Sequence, residues 1–131
     1  MSEYEIDEDG RYQSMIGPLY HREVEPGKWH LRFQVEERHL NGGDVVHGGM
    51  MMSFADHVLG KVVWEATGQT PCTTMSMNCD FVAAGKLGDW IEGTAEITRK
   101  TRSIIFVQGE LSANGKTLMT ATGLWKILGQ Q

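Results

Sequence analysis

The chain has 131 residues, of which 40% are hydrophobic and 22% charged, as in a single globular domain. Its net charge of −5 argues against a basic surface for nucleic acid, and no apolar run reaches the roughly 18 residues that a membrane span needs. Two cysteines are too few for a disulfide framework, and the polar start of the chain shows no targeting peptide, so a cytoplasmic protein is expected.

The first part of the chain predicts an acidic arm followed by one domain. Five of the first nine residues are Asp or Glu, with no base among them, so residues 1–14 are expected to form a solvated, flexible arm. Residues 15–131 contain no linker and no repeat, and a single domain is expected there. Within it, residues 19–25 and 28–35 flank the turn dipeptide Pro26-Gly27 and predict a first hairpin.

The longest apolar stretch, residues 50–67, predicts a helix that ends before Gly68. Apolar residues recur there at helical spacing, and Met50, Met52 and Trp64 widen the apolar surface almost all round. A helix with so little polar surface must be buried on most sides. We therefore expect a central helix wrapped by strands.

The remainder of the chain has the patterns of β-strands. Residues 73–81 alternate with a period of two, and Asn114-Gly115 is a strong hairpin signal. The predicted strands are residues 73–81, 90–99, 104–112 and 117–128. With the first hairpin they predict an α+β fold, in which a mostly antiparallel sheet of about five to six strands surrounds one long helix.

Asp56 is the most informative polar residue, because it lies in the middle of the apolar helix. A carboxylate buried without a partner costs several kcal/mol, so such a residue must be paired, exposed or functional. Ser53 and Gly60, at helical spacing from Asp56, are small and leave room beside it. The alternative is that Asp56 lies on a narrow solvent-facing stripe with His57 and Lys61.

Two glycines precede the helix and indicate a second functional feature. Gly48 and Gly49 allow a ligand to approach the backbone closely, and the start of a helix offers unpaired N–H groups at its positive end. Such donors stabilise the oxyanion that forms when a carbonyl is attacked. The alternative is a loop with no further role.

Other candidate sites are weaker. His47 and His57 with Asp56 fit no standard spacing of metal ligands, so no metal is expected. Cys72 and Cys79 are seven residues apart, which predicts opposite faces of one strand and no shared site.

The motif His47-Gly48-Gly49, with an acid nine positions after the histidine at Asp56, resembles the signature of hotdog-fold acyl-CoA thioesterases. The branch it is most similar to is the phenylacetyl-CoA thioesterase-like one. The similarity extends over residues 19–128 and includes residues 74–78, 86–89 and the Asn114 hairpin. It implies a hotdog fold and a hydrolase that cleaves the thioester bond of acyl-CoA without a cofactor, with neither nucleic acid nor a membrane as partner.

The resemblance also implies roles for single residues. Asp56 matches the catalytic carboxylate, as general base or nucleophile, and the Gly48 N–H matches the group that polarises the carbonyl. Asn41 matches a residue that orients the carbonyl or water, and Thr74 one that positions the attacking water. His47 is expected to hold the loop by hydrogen bonds.

Contacts to the substrate are expected at further positions. The basic turn of Arg99, Lys100 and Arg102 is a candidate for the CoA phosphates, the alternative being a solvated hairpin end. Many relatives carry a Leu-Arg-Pro-like run after Phe81, where this chain has Val82-Ala83-Ala84, so Lys86 is a possible substitute for that arginine. The small residues expected to border the substrate are Gly49, Ser53 and Gly60.

The active unit is expected to be at least a homodimer. Gly48 and Asp56 are eight residues apart and stand about 12 Å apart along a helix, too far to act on one carbonyl from one chain. Two subunits can supply one group each, with pairing through residues 73–81, and the resemblance suggests a homotetramer.

Two other functions remain open from the sequence. A hotdog hydratase or dehydratase needs a histidine in a longer, proline-containing loop, which is absent here. A non-catalytic acyl-CoA-binding module would need no carboxylate at Asp56.

Overall fold

The computed structural model describes residues 3–128, and these form one antiparallel sheet around one long helix. The elements are β1 (Glu5–Ile6), α1 (Tyr12–Ile16), β2 (Tyr20–Glu25), β3 (Lys28–Gln34), a 3-10 turn (Glu37–His39), α2 (Gly48–Ala66), β4 (Cys72–Phe81), β5 (Trp90–Lys100), β6 (Ile104–Ala113) and β7 (Lys116–Ile127). Every long element lies within two residues of its predicted bounds. The α+β architecture predicted from the sequence is confirmed.

The sheet has seven strands in the order β1-β2-β3-β5-β6-β7-β4, one or two more than predicted. The additional strand is β1, which pairs two residues with β2 and is too short to leave a periodic pattern in the sequence. β4 forms the other edge and pairs only with β7 among the described residues. A ten-residue strand is thus left open along one side.

One face of α2 forms the hydrophobic core with the sheet. The rings of Phe54 on α2 and Phe33 on β3 meet edge to face, with centroids 4.8 Å apart. The helix also lies very close to β5, since a Cβ added at Gly93 would stand 2.5 Å from Val58 Cγ2. No helix within residues 3–128 is long and apolar enough to cross a membrane.

The other face of α2 is less buried than its composition predicts. Met52 is 42% exposed and Trp64 38% exposed, and Asp56 and His57 are half-buried on the same open side. The sheet therefore covers the helix on one side only. On the remaining side, Thr74 at the edge of the sheet and residues 7–16 contact the helix.

The predicted alternation of β4 is wrong at one position. Thr74 pairs with Trp125 and Ser76 with Leu124, which leaves Met75 as an extra residue in a β-bulge. The bulge reverses the orientation of the residues before it relative to those after it. As a result Cys72 and Cys79 both pack against the core, rather than on opposite faces as predicted.

Part of the acidic segment predicted to be a solvated arm packs against the domain. β1 pairs with β2, and the Asp7 N–H donates to the Leu19 carbonyl at 2.7 Å. The Tyr12 hydroxyl of α1 lies 2.6 Å from the Ser53 hydroxyl of α2. These contacts place residues 7–16 beside the open face of the long helix.

Candidate active site

Asp56 and Thr74 form a hydrogen-bonded pair on the open side of α2. The Thr74 hydroxyl donates to Asp56 Oδ1 at 2.7 Å, and the two residues are 18 positions apart in the chain. The bulge at Met75 produces this contact, because it turns Thr74 to the face that Met77 and Cys79 share. Two residues that the sequence places in the site separately are thus in direct contact.

A cavity of about 450 Å³ opens beside the Asp56 carboxylate. Four of its lining residues are apolar, namely Ile16, Leu19, Met52 and Met77. The polar ones are Asp9, Tyr12, Gln13, Ser53, Asp56 and His57. Although six of the ten lining residues are polar, most of the surface that lines the cavity is apolar. Apolar surface bordered by polar groups is typical of a small-molecule site.

A second cavity, of about 430 Å³, borders Asp56 on the side of Gly60 and Trp64. Its lining is mostly charged and includes Lys61 and acidic residues of the N-terminal part of the chain. Gly60 also faces inward, since a Cβ there would stand 3.6 Å from Trp125 Nε1. Ser53 lines the first cavity and Gly60 the second, so each of these small residues borders open space beside the carboxylate.

The start of α2 presents Gly48 as the first helical residue, with no acceptor for its N–H inside the helix. The His47 side chain caps the helix, and its Nδ1 accepts the Gly49 N–H at 2.8 Å. The Gly49 N–H is thus occupied within the loop. Phe81 lies beside the motif, because a Cβ on Gly48 would stand 3.6 Å from its ring.

Asn41 shapes the loop that leads to this helix. Its Oδ1 accepts the N–H of Gly43 at 2.8 Å and that of Val45 at 3.4 Å. The loop is fixed further by the Val46 N–H, which donates to the Gly85 carbonyl at 2.9 Å. Asn41 is exposed, and among the described residues nothing accepts from its amide nitrogen, so its two N–H donors face solvent.

The basic candidates lie at opposite ends of the sheet. Lys86 follows Gly85 at the end where α2 begins, and its N–H donates to Asp89 Oδ2 at 3.0 Å. The exposed side chains of Arg99, Lys100 and Arg102 lie at the turn between β5 and β6. The Ile127 N–H, at the end of β7, donates to the Ser103 carbonyl of that turn, and Ile127 pairs with Cys72. The turn therefore lies beside the start of β4. One chain cannot bring both groups to one phosphate.

A cysteine nucleophile is disfavoured near Asp56. Burial, together with the carboxylates of Asp80 and Asp56, raises the pKa of the Cys79 thiol above its ordinary value. The thiol therefore stays protonated at neutral pH and is a poor nucleophile. Within residues 3–128 no group of three or more His, Cys, Asp or Glu side chains is arranged to hold a metal ion.

An ionic cluster beside the site was missed by the sequence analysis. Asp7 Oδ2 lies 3.2 Å from His21 Nδ1 and 3.0 Å from His57 Nε2. Burial opposes ionisation of Asp7, but the contact with His57 and the charges of His57, His21 and Lys61 outweigh it and lower its pKa to about 2. Nothing in the sequence distinguishes Asp7 from the four acids near it.

Comparison with known proteins identifies the family of this chain. The model of the thioesterase superfamily matches residues 43–120, from the loop before α2 to β7. This match includes more than half of the chain, and it contains the glycine motif, Asp56 and Thr74. The chain belongs to the thioesterase superfamily, and the predicted relation to hotdog-fold thioesterases is confirmed.

Individual relatives are distant in sequence and close in fold. Human acyl-coenzyme A thioesterase 13 is 25% identical over 109 residues, which cover 82% of this chain and 78% of the human protein. A phenylacetic acid degradation-related protein from Ralstonia eutropha JMP134 has a TM-score of 0.81 at 26% identity, over 92% of each chain. A hypothetical thioesterase protein from Streptococcus pneumoniae, solved with coenzyme A, has a TM-score of 0.77 at 18% identity, over 99% of each chain. This last likeness shows the fold alone.

Proposed function

We propose that the protein hydrolyses acyl-CoA thioesters. The observation that carries the proposal is the Asp56–Thr74 pair at the border of a mainly apolar cavity, in a member of the thioesterase superfamily. The human relative is named for the hydrolysis of acyl-CoA, and the pneumococcal protein of the same fold binds coenzyme A. The carboxylate supplies the reactive group and the apolar lining suits an acyl chain.

The reaction breaks the thioester C–S bond, with water adding OH to the acyl carbon and a proton going to the sulfur. Asp56 either takes a proton from the attacking water or attacks the carbonyl itself, and Thr74 holds Oδ1 in position. The Gly48 N–H donates to the developing oxyanion, and the Asn41 amide orients the carbonyl or the water. His47 keeps the helix start in shape through Gly49.

We also propose that each site is shared between two subunits of a homodimer, itself part of a homotetramer. Gly48 and Asp56 stand about 12 Å apart along α2, while both must lie within about 3 Å of the reacting atoms. A second α2 running antiparallel across a twofold axis brings the partner's start of the helix to Asp56. The open edge of β4 suits such pairing, because a long unpaired edge strand otherwise invites uncontrolled association.

The decisive experiment replaces Asp56 with Asn. Asp56→Asn keeps the shape of the side chain and removes both base and nucleophile, so thiol release from acyl-CoA should fall at least about a hundredfold. Asp80→Asn is the matched control, since Asp80 is an exposed carboxylate on the same strand as Thr74. A panel of aromatic and aliphatic acyl-CoAs identifies the acyl group. Near-normal turnover by Asp56→Asn would exclude the assignment.

Sharing of the site is tested by mixing two inactive variants. Gly48→Pro removes the N–H at a position where proline is tolerated, the first residue of a helix. Subunits carrying Gly48→Pro and subunits carrying Asp56→Asn should regain activity after mixing, because a hybrid dimer holds one intact site. A monomer with full activity contradicts the shared site.

A further inference from the structure

Residues 7–16, called here the N-terminal segment, lie across the open face of α2 and line the cavity beside Asp56. We propose that this segment forms the far wall of the acyl pocket, and that Tyr12 sets the length of acyl chain the pocket accepts. The proposal rests on the acyl-CoA hydrolase function proposed above. It adds a specificity-determining residue that lies outside the span matched by the thioesterase superfamily.

Tyr12 is tied directly to the helix that carries Asp56. Its hydroxyl lies 2.6 Å from the Ser53 hydroxyl, and Ser53 is three residues before Asp56, hence on the same side of α2. The bond connects α1 with α2 across the border of the cavity, which both residues line. Tyr12 is 60% exposed, so it does not belong to the hydrophobic core, and its ring instead borders the cavity.

Two further contacts fix the ends of the N-terminal segment. At its start, Asp7 lies between His21 of β2 and His57 of α2, at 3.2 and 3.0 Å. At its end, Arg38 donates to the carbonyls of Met15 and Gly17. The segment is thereby attached to the body on both sides of Tyr12, so the ring is held at a defined distance from Asp56.

His39 strengthens the second attachment. It is 4% exposed, and its Nδ1 accepts the Glu36 N–H at 3.0 Å. Nε2 therefore carries the proton and donates to the Ile16 carbonyl at 2.7 Å. A buried histidine with both nitrogens used this way orients the end of α1 beside the pocket.

The chemistry of the cavity points to an acyl chain as its content. A thioester that reacts at Asp56 has its carbonyl carbon at the border of the cavity, so its apolar part can extend inward along Met52, Met77 and Ile16. Coenzyme A, which is polar and charged, extends outward. An acyl chain that grows longer in this direction meets α1 and the Tyr12–Ser53 bond. Each methylene that still finds apolar contact raises affinity about fourfold, and the gain ends at the wall.

The test measures binding, so that it does not depend on turnover. Non-hydrolysable thioethers of CoA with butyl, octyl and dodecyl chains are titrated calorimetrically into wild type, Tyr12→Ala and Ser53→Ala. In wild type we expect affinity to stop rising before the longest chain. Tyr12→Ala should raise the ratio of dodecyl to butyl affinity at least about fourfold, the value of one additional methylene in contact. Ser53→Ala, which unties the ring, should shift this ratio in the same direction.

Met15→Ala is the matched control. Met15 lies on the same short helix as Tyr12, is 71% exposed, and does not line the cavity, so its removal should leave the affinity ratio unchanged. An unaltered ratio in folded Tyr12→Ala and Ser53→Ala overturns the proposal, as does failure of wild type to bind any of the thioethers. Chain-length-dependent binding without hydrolysis of the matching thioesters contradicts only the proposed enzyme activity.

Discussion

Asp7→Asn should destabilise the protein at neutral pH, because the folded state holds the Asp7 carboxylate between His21 and His57. The pKa of Asp7 is lowered from 3.8 to about 2 in the folded state. At 1.36 kcal/mol for each pH unit, a shift of this size corresponds to about 2 kcal/mol of folding free energy. Because the carboxyl is partly exposed, solvent screening reduces the expected contribution to about 1–2 kcal/mol.

The sign of the pH dependence follows from the direction of the shift. A carboxyl whose pKa is lowered in the folded state stabilises the fold fully above 3.8, and the contribution is lost as the pH falls towards 2. Burial lowers the pKa of His21 below 6.5, so its contribution is also present above 6.5 and lost as the pH falls. The Asp7 carboxylate raises the pKa of His21 and so opposes this second effect, which is therefore larger in Asp7→Asn than in wild type.

Urea unfolding of wild type and Asp7→Asn measures the difference directly. The free energies of unfolding should differ by about 1–2 kcal/mol at neutral pH, and the difference should shrink as the pH is lowered from 3.8 towards 2. Glu8→Gln is the control, because Glu8 is an exposed acid next to Asp7. Equal stability of wild type and Asp7→Asn, or a difference that does not change with pH, refutes the reasoning.

Three further predictions concern the site and the core. Thr74→Ala should lower the turnover number about tenfold, because it loses the hydrogen bond to Asp56, with little change in melting temperature, whereas Thr74→Ser should keep most activity. Equal steady-state kinetics in the two variants would disprove this role of the Thr74 hydroxyl. Joint replacement of Arg99, Lys100 and Arg102 by Ala should raise KM for acyl-CoA, more so at low salt, and leave kcat unchanged. If this triple variant keeps the wild-type KM while Lys86→Ala raises it, the CoA phosphates bind at the other end of the sheet. Gly93→Ala should lower the free energy of unfolding by about 1–3 kcal/mol, since its Cβ would stand 2.5 Å from Val58, while Gly42→Ala, with open space around it, should have almost no effect in the same unfolding assay.

The main elements could be predicted because their residues are periodic. The two-residue alternation and the turn dipeptides Pro26-Gly27 and Asn114-Gly115 located the hairpins. The helical spacing from Met50 onward located α2, and the motif before it added the first turn. Short elements could not be found this way, because β1 has two residues and α1 has five, fewer than a pattern requires.

The cover over α2 could not be predicted, because it depends on contacts between residues far apart in the chain. Tyr12 reaches Ser53 over 41 positions, and Arg38 reaches the carbonyl of Gly17 over 21. Composition alone favoured a solvated arm for residues 1–14, because five of these residues are acidic and only Arg11 is basic. The partners that pair with Asp7 are histidines on two different elements, and no local spacing connects them.

The bulge at Met75 links the edge of the sheet to the chemistry of the site. With strict alternation, Thr74 would face away from Met77 and therefore away from α2. One extra residue turns Thr74 towards Asp56 while residues 76–81 remain paired with β7. The same bulge lies on the open edge strand, where a local irregularity increases twist and limits pairing with other chains. The sequence pattern does not reveal the bulge, because the extra residue, Met75, is apolar and fits the predicted alternation of apolar and polar residues.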